Sequence, residues 1–175
     1  MRPAIAALLA APIAFVAAAA CAQTAPSTEQ IIRSLQPTVS GLKDATRGIR
    51  LVGPQEAAPS VSLDVEFASG SAELTPRARV TLDRLGRALT SAELAQYHFR
   101  IEGHTDTVGA PDLNRALSQR RADAVASYLE ARFGVATARL QAIGLGEEGL
   151  AVPTPAQTPN ARNRRVKIVT QDAAG

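Results

Sequence analysis

Apolar and polar positions alternate through residues 61–67 (V-S-L-D-V-E-F) and again through 165–170, the period of a strand buried on one side. Two further short runs, 97–102 and 140–144, also read as strands. Between them the spacing turns helical. Val80, Leu82, Leu85 and Leu89 form a stripe behind Thr75 and Pro76, a capping residue followed by proline at the first helical position. A second long helix is predicted over 111–133, with Gly134 as its stop. A short helix over 29–35, capped by Thr28, ends before Pro37. Extra turns fit 92–95 and 136–139, and 146–160, with Pro153, Pro155 and Pro159, reads as a loop. The domain order is β-α-β-α-β-loop-β. Strands alternating with helices imply an α/β sandwich, with helices on one face of a small sheet.

The most informative stretch joins the second strand to the second long helix: I-E-G-H-T-D-T-V-G-A-P-D-L-N-R-A-L-S-Q-R-R-A. The strand stops at Gly103, a short polar loop carries Asp106, and Gly109 closes the loop. On the helix that follows, Asn114, Leu117 and Arg121 are spaced by three and four and share one side. The loop thus presents a negative charge and the helix a positive one. Packed beside the strand end, they could face each other across a shallow pocket suited to a ligand bearing an ammonium and a carboxylate. Taken singly, these residues have plainer readings. Asp106 fits a turn or helix-capping carboxylate, and Arg121 a solvated helix arginine next to Arg120. Leu117 fits the core, and Asn114 a loop anchor.

Three segments resemble the peptidoglycan-binding domain at the C-terminus of outer-membrane protein A and in peptidoglycan-associated lipoproteins. They are V-E-F-A-S-G-S-A-E-L at 65–74, the G-H-T-D…G…N-x-x-L-S-x-R-R-A run at 103–122, and Asn163-Arg164-Arg165-Val166. The resemblance covers about residues 60–170, and its long middle segment is far more specific than a short motif. It implies an OmpA-like fold, a small mixed sheet with helices packed on one face. It implies a ligand too, the diaminopimelate of a peptidoglycan stem peptide. Asp106 would accept from its ammonium, and Arg121 would clamp its carboxylate through two parallel bonds. Asn114 and the backbone from Thr107 to Ala110 would orient it, and Leu117 would pack on its aliphatic part. Asn163 and Arg165 are carried over as supports beside the pocket; a basic, solvated strand entry is the other reading. Two positions depart from the family pattern. Ala68 stands where Asp often follows the first-strand Phe, and Asn160 where Arg often precedes the Asn-Arg-Arg. Both are expected to weaken affinity or shift ligand preference.

Composition narrows the function classes. Of the residues, 46% are hydrophobic and 3% aromatic, with no Trp, so the core rests on Leu, Val, Ile and Ala. The net charge of +3 comes almost wholly from Arg, since Lys43 and Lys167 are the only lysines. No basic helix or alternation of aromatic and basic residues suggests nucleic acid as a partner. His98 and His104 are the only histidines, and a metal site usually needs three or four ligands. No metal or cofactor is therefore implied, and His104 reads as a structural residue at the strand end. Ser118 has no base and orienter placed as in hydrolases, and reads as a helix-surface hydroxyl. No catalytic residue is assigned, and the chain is read as a non-enzyme.

Residues 1–22 read as an export signal: Arg2, then an apolar, alanine-rich stretch over 4–20 interrupted by Pro12. Ala18-Ala19-Ala20-Cys21 resembles a bacterial lipobox, in which Cys21 would be lipidated, although Leu is usual where Ala18 stands. The rival is cleavage before Gln23, which discards Cys21. Ala22 lacks the aspartate associated with inner-membrane retention, which by resemblance points to the outer membrane. Residues 23–60 read as a tether with a short helix and an extended piece at 48–52. Residues 61–171 form the domain, and 172–175 a tail. The segment before the domain is too short for a membrane barrel, whose strands run about 9–11 residues each. The resulting expectation is a periplasm-facing protein, lipid-anchored in the outer membrane, that binds peptidoglycan non-covalently and ties membrane to wall. Other envelope proteins are further candidate partners. The alternatives are a soluble periplasmic form and an envelope protein-interaction module with a vestigial pocket.

Overall fold

Two of the three described helices begin where a side chain satisfies free backbone N–H groups. In this computed structural model, which describes residues 25–37, 58–65, 67 and 70–171, α1 spans Thr28–Leu35. Its cap is Ser27 rather than Thr28. The Ser27 hydroxyl accepts from the Gln30 nitrogen while the Gln30 side chain accepts from the Ser27 nitrogen, a reciprocal box that Thr28 has no partner to form. Thr75 caps α2 (Pro76–Leu89) by accepting from the Ala78 nitrogen. α3 (Pro111–Phe133) stops at Gly134, whose N–H still bonds the Glu130 carbonyl and whose φ of 66° then turns the chain out of the helix.

Four strands complete the order: β1 (Ser60–Leu63), β2 (His98–His104), β3 (Leu140–Gly146) and β4 (Val166–Gln171), with a 3-10 turn at Thr137–Arg139 leading into β3. Across the sheet they run β1-β4-β2-β3. β4 is antiparallel to both β1 and β2, whereas β2 and β3 are parallel. A parallel pair needs a long crossover, and α3 supplies it. The sheet is therefore mixed, as the resemblance implies.

Register places the core. Leu63 pairs with Val166, Ile101 with Ile168 and Phe99 with Leu140, so these side chains share a face. They join Leu82, Leu85 and Leu89 of α2 and Val125 and Leu129 of α3 in one apolar cluster. The opposite face carries Arg100, Glu102 and Lys167, with Glu102 bonded to Arg100 at 2.7 Å and 3.8 Å from Lys167.

Three local expectations are corrected. β1 ends at Leu63, and Phe67 instead forms an isolated bridge with Leu74, closing the loop that follows. Val80 is 54% exposed. The buried face of α2 is drawn from Ala78, Leu82, Leu85 and Leu89, because Val80 lies two residues from Leu82 and so points elsewhere on a 3.6-residue helix. The short helix read as part of a tether is packed: Ile31 and Leu35 are fully buried, and the Thr170 hydroxyl donates to the Leu35 carbonyl at 2.7 Å. The export signal, Cys21, the extended piece at 48–52, Ala68 and the tail lie outside the described residues.

Candidate ligand-binding site

α3 sits on the sheet closely enough to fix the site. A Cβ on Gly103 would lie 2.3 Å from the Ser118 carbonyl oxygen, and one on Gly144 2.3 Å from the Gln119 nitrogen. Only glycine permits that approach. Ser118 is fully buried at the contact, not on the helix surface. Its hydroxyl accepts from the Gly146 nitrogen and donates to the Arg115 carbonyl, both at 2.8 Å. Gln119 accepts from the Gly144 nitrogen at 2.7 Å. The buried face of α3 changes character along its length. Asn114, Ser118 and Arg121 lie toward its start, and Ala122, Val125 and Leu129 toward its end. The same face is polar in one half and apolar core in the other.

The polar half opens onto a cavity of about 450 Å³, walled by Asp106, Asn114, Leu117 and Arg121 together with Phe67, Thr105 and Arg164. Asp106 and Arg121 are 8% and 7% exposed, so both charges are largely withdrawn from water. Arg164 holds Asp106 at 2.6 Å, and the Asn160 nitrogen donates to the same carboxylate oxygen at 3.3 Å. Arg121 donates from Nε to the Ser71 carbonyl at 3.0 Å and lies over the Phe67 ring, 4.9 Å from its centroid. Burial pushes the Arg121 pKa down. The neighbouring Arg164 adds to that shift, and Asp106 opposes it. A carboxylate entering the cavity would relieve a guanidinium that is both desolvated and repelled.

The remaining candidates divide by role. Asn114 is buried and donates to the Val108 carbonyl at 3.1 Å, with longer contacts to the Asp106 carbonyl and Glu147, so it anchors the loop while lining the cavity. Leu117 is half-buried in the cavity wall and outside the apolar core cluster. Thr107 is not in the cavity wall. Its hydroxyl donates to the Pro155 carbonyl at 2.6 Å and accepts from the Thr158 nitrogen at 3.1 Å, fastening the 146–165 loop. Gln157 completes that fastening with two 3.0 Å bonds to the Gly109 backbone. Asn163, fully buried, ties the same loop through the Val152 nitrogen and carbonyl. Arg165 donates to the Gly149 carbonyl at 2.8 Å, so the arginine that reaches Asp106 is its neighbour, Arg164. Sequence reasoning missed Arg164, Thr105 and Phe67. The Thr105 hydroxyl is buried without a hydrogen-bond partner among the described residues.

The sequence profile of the OmpA family matches residues 66–164, more than half of the chain. The chain belongs to the OmpA family. Among OmpA-family relatives, it is 33% identical over 109 residues to outer-membrane lipoprotein YfiB of Pseudomonas aeruginosa, covering 62% of this chain and 63% of that protein. It is 45% identical over 68 residues to the peptidoglycan-associated lipoprotein of Pasteurella multocida, 39% of this chain and 45% of that one. The match to outer membrane protein P5 of Haemophilus influenzae spans 24% of that protein, so the chain corresponds to only part of it. The crystal structure of the peptidoglycan-associated lipoprotein from Burkholderia pseudomallei superposes with a TM-score of 0.54 at 33% identity, covering 61% of this chain and 88% of that one. The cell wall anchor of the T6SS from Pseudomonas aeruginosa gives 0.53 at 30% identity, covering 66% and 81%. The OmpA-family span takes in every named wall residue of the cavity, and α1 lies ahead of it.

Proposed function

We propose that this OmpA-family chain binds peptidoglycan non-covalently, seating the amino-acid head of a diaminopimelate side chain between Asp106 and Arg121. One observation carries the proposal: two largely buried, oppositely charged side chains share a single cavity. The names of three relatives support it, two peptidoglycan-associated lipoproteins and a cell wall anchor. Asp106 accepts from the ligand ammonium, sharing its carboxylate with Arg164. Arg121 turns its guanidinium to the ligand carboxylate, with the Phe67 ring behind it. Leu117 covers the aliphatic stem, and Thr105 offers a hydroxyl. A ligand lacking the carboxylate leaves the buried Arg121 guanidinium without an anionic partner, and one lacking the ammonium forfeits its bond to Asp106, which gives the site its selectivity. In the exported protein, lipid on Cys21 holds the outer membrane while the domain holds the wall, and many copies give avidity.

The test is sedimentation with purified diaminopimelate-type sacculi, using the chain without its first 22 residues. Wild type co-sediments. Asp106→Ala and Arg121→Ala, with folding checked by circular dichroism, each lose about thirtyfold or more in affinity, since each leaves one charge of the ligand head unpaired in the cavity at a cost of roughly 2–5 kcal/mol. Folded wild type remaining in the supernatant would move the assignment to an envelope protein-interaction module.

A further inference from the structure

A second cavity, of about 290 Å³, adjoins the first and shares Phe67, Arg121 and Arg164 with it. Its own wall adds Asp64, His104 and Arg165. Three guanidinium groups therefore border it, and the carboxylates that could neutralise them are occupied or exposed. Asp106 is held by Arg164, Glu102 is bonded to Arg100 and near Lys167 and reaches Arg165 only through its charge, and Asp64, in the same wall, is exposed. Arg165 uses Nη2 on the Gly149 carbonyl, which leaves Nη1 buried with no hydrogen-bond partner among the described residues. His104 is 4% exposed, with Nδ1 3.0 Å from the Glu148 carbonyl. A buried, unpartnered guanidinium N–H beside two further arginines is the arrangement that an oxyanion completes.

We propose that this second cavity binds a carboxylate of the same wall fragment whose diaminopimelate head occupies the first. The inference rests on the wall-binding function proposed above. The shared wall residues make the two cavities one continuous surface, and a stem peptide carries further carboxylates beyond the head. An oxyanion could instead come from a phosphate, and the experiment separates the two.

Calorimetric titration of the chain lacking residues 1–22 would compare four probes. These are free meso-diaminopimelate, the tripeptide L-Ala-γ-D-Glu-meso-diaminopimelate, and that tripeptide amidated at either the glutamyl or the C-terminal carboxylate. On wild type, one amidated form binds about tenfold more weakly than the parent, equivalent to about 1.4 kcal/mol. In Arg165→Gln that discrimination disappears. Two equally tight amidated forms, or discrimination that survives in Arg165→Gln, would overturn the proposal. Saturable binding of inorganic phosphate without any cost of amidation would also overturn it, in favour of a phosphate source. Should Arg165→Gln fail to fold, Arg165→Lys takes its place, and discrimination undiminished there would overturn the proposal. Free diaminopimelate tests whether the head is bound at all. Its failure to bind would sink the wall-binding function, whereas its binding with no cost of amidation would sink only the second site.

Discussion

Single residues in this fold are held by burial and by the partners they have. His104 shows the consequence for pH. Its pKa is pushed down chiefly by burial and then by the charge of Arg165, while the Glu148 carbonyl and Glu102 pull the other way. The folded state therefore binds fewer protons than the unfolded state just below the ordinary histidine value of 6.5. Stability contributed by the neutral ring is present above that value and falls as pH drops through the lowered one. Thermal denaturation across pH 7.5 to 5 should show this decline in wild type and a shallower one in His104→Gln; equal slopes would remove His104 as the cause. Arg139 is a second such residue. It donates to the Leu89, Leu94 and Tyr97 carbonyls at 2.7–3.1 Å and lies over the Phe99 ring, fixing the α2–β2 connection. Arg139→Ala should cost about 3 kcal/mol in urea denaturation, because three part-buried carbonyls lose a charged donor. A loss below about 0.5 kcal/mol would mark the contact as dispensable. At this scale, Asp106 and Arg121 are legible in the sequence because a long motif carries them. Arg164 is not. Arg164 lies at the end of the turn over 161–164, where its N–H bonds the Ala161 carbonyl, just ahead of β4, so only the fold of that turn decides which of two neighbouring arginines meets Asp106.

Elements carry the site by their contact with the sheet. α3 presents Asn114, Leu117 and Arg121 at the right depth only because its backbone meets β2 and β3 at two paired glycines, Gly103 and Gly144. Helical spacing in the sequence locates the helix and its stop at Gly134. It does not disclose how close the helix lies, because glycine looks the same in a loop and at a packing contact. The residues that lock the helix down, Ser118 and Gln119, look like surface polar positions for the same reason. Gly144→Ala places a methyl group 2.3 Å from backbone nitrogen, which no side-chain rotation can relieve. We expect a loss of about 3 kcal/mol in stability, at the upper end for overpacking. A fall in affinity for sacculi should accompany it, because α3 must shift outward with its three cavity residues. Unchanged binding in a destabilised Gly144→Ala protein would show that the cavity tolerates movement of the helix.

Across the whole molecule, the element that sequence reading misplaced says most about how force and stability travel. Prolines and glycines between 36 and 60 separate α1 from the rest of the domain and invite the reading of a tether. The family profile begins only at residue 66 and gives no reason to look further upstream. Yet Ile31 and Leu35 complete the core, and Arg84 of α2 donates to the Ala25 carbonyl at 2.8 Å, so even the residues before α1 are fastened. A pull on the chain from its N-terminal side therefore meets α1 before it meets the sheet. A chain beginning at residue 58 should fold less stably than one beginning at residue 23. The two buried side chains contribute about 1.5–3 kcal/mol each, offset in part by the cost of ordering the helix. A net loss of about 3 kcal/mol, or a fall in Tm of roughly 10 °C, is the expected size. Binding to sacculi should persist in the shorter chain at temperatures where it remains folded, because every named cavity residue lies at or after Phe67. Equal melting temperatures for the two chains would return α1 to the tether. Loss of binding by the folded shorter chain would instead place α1 within the binding unit.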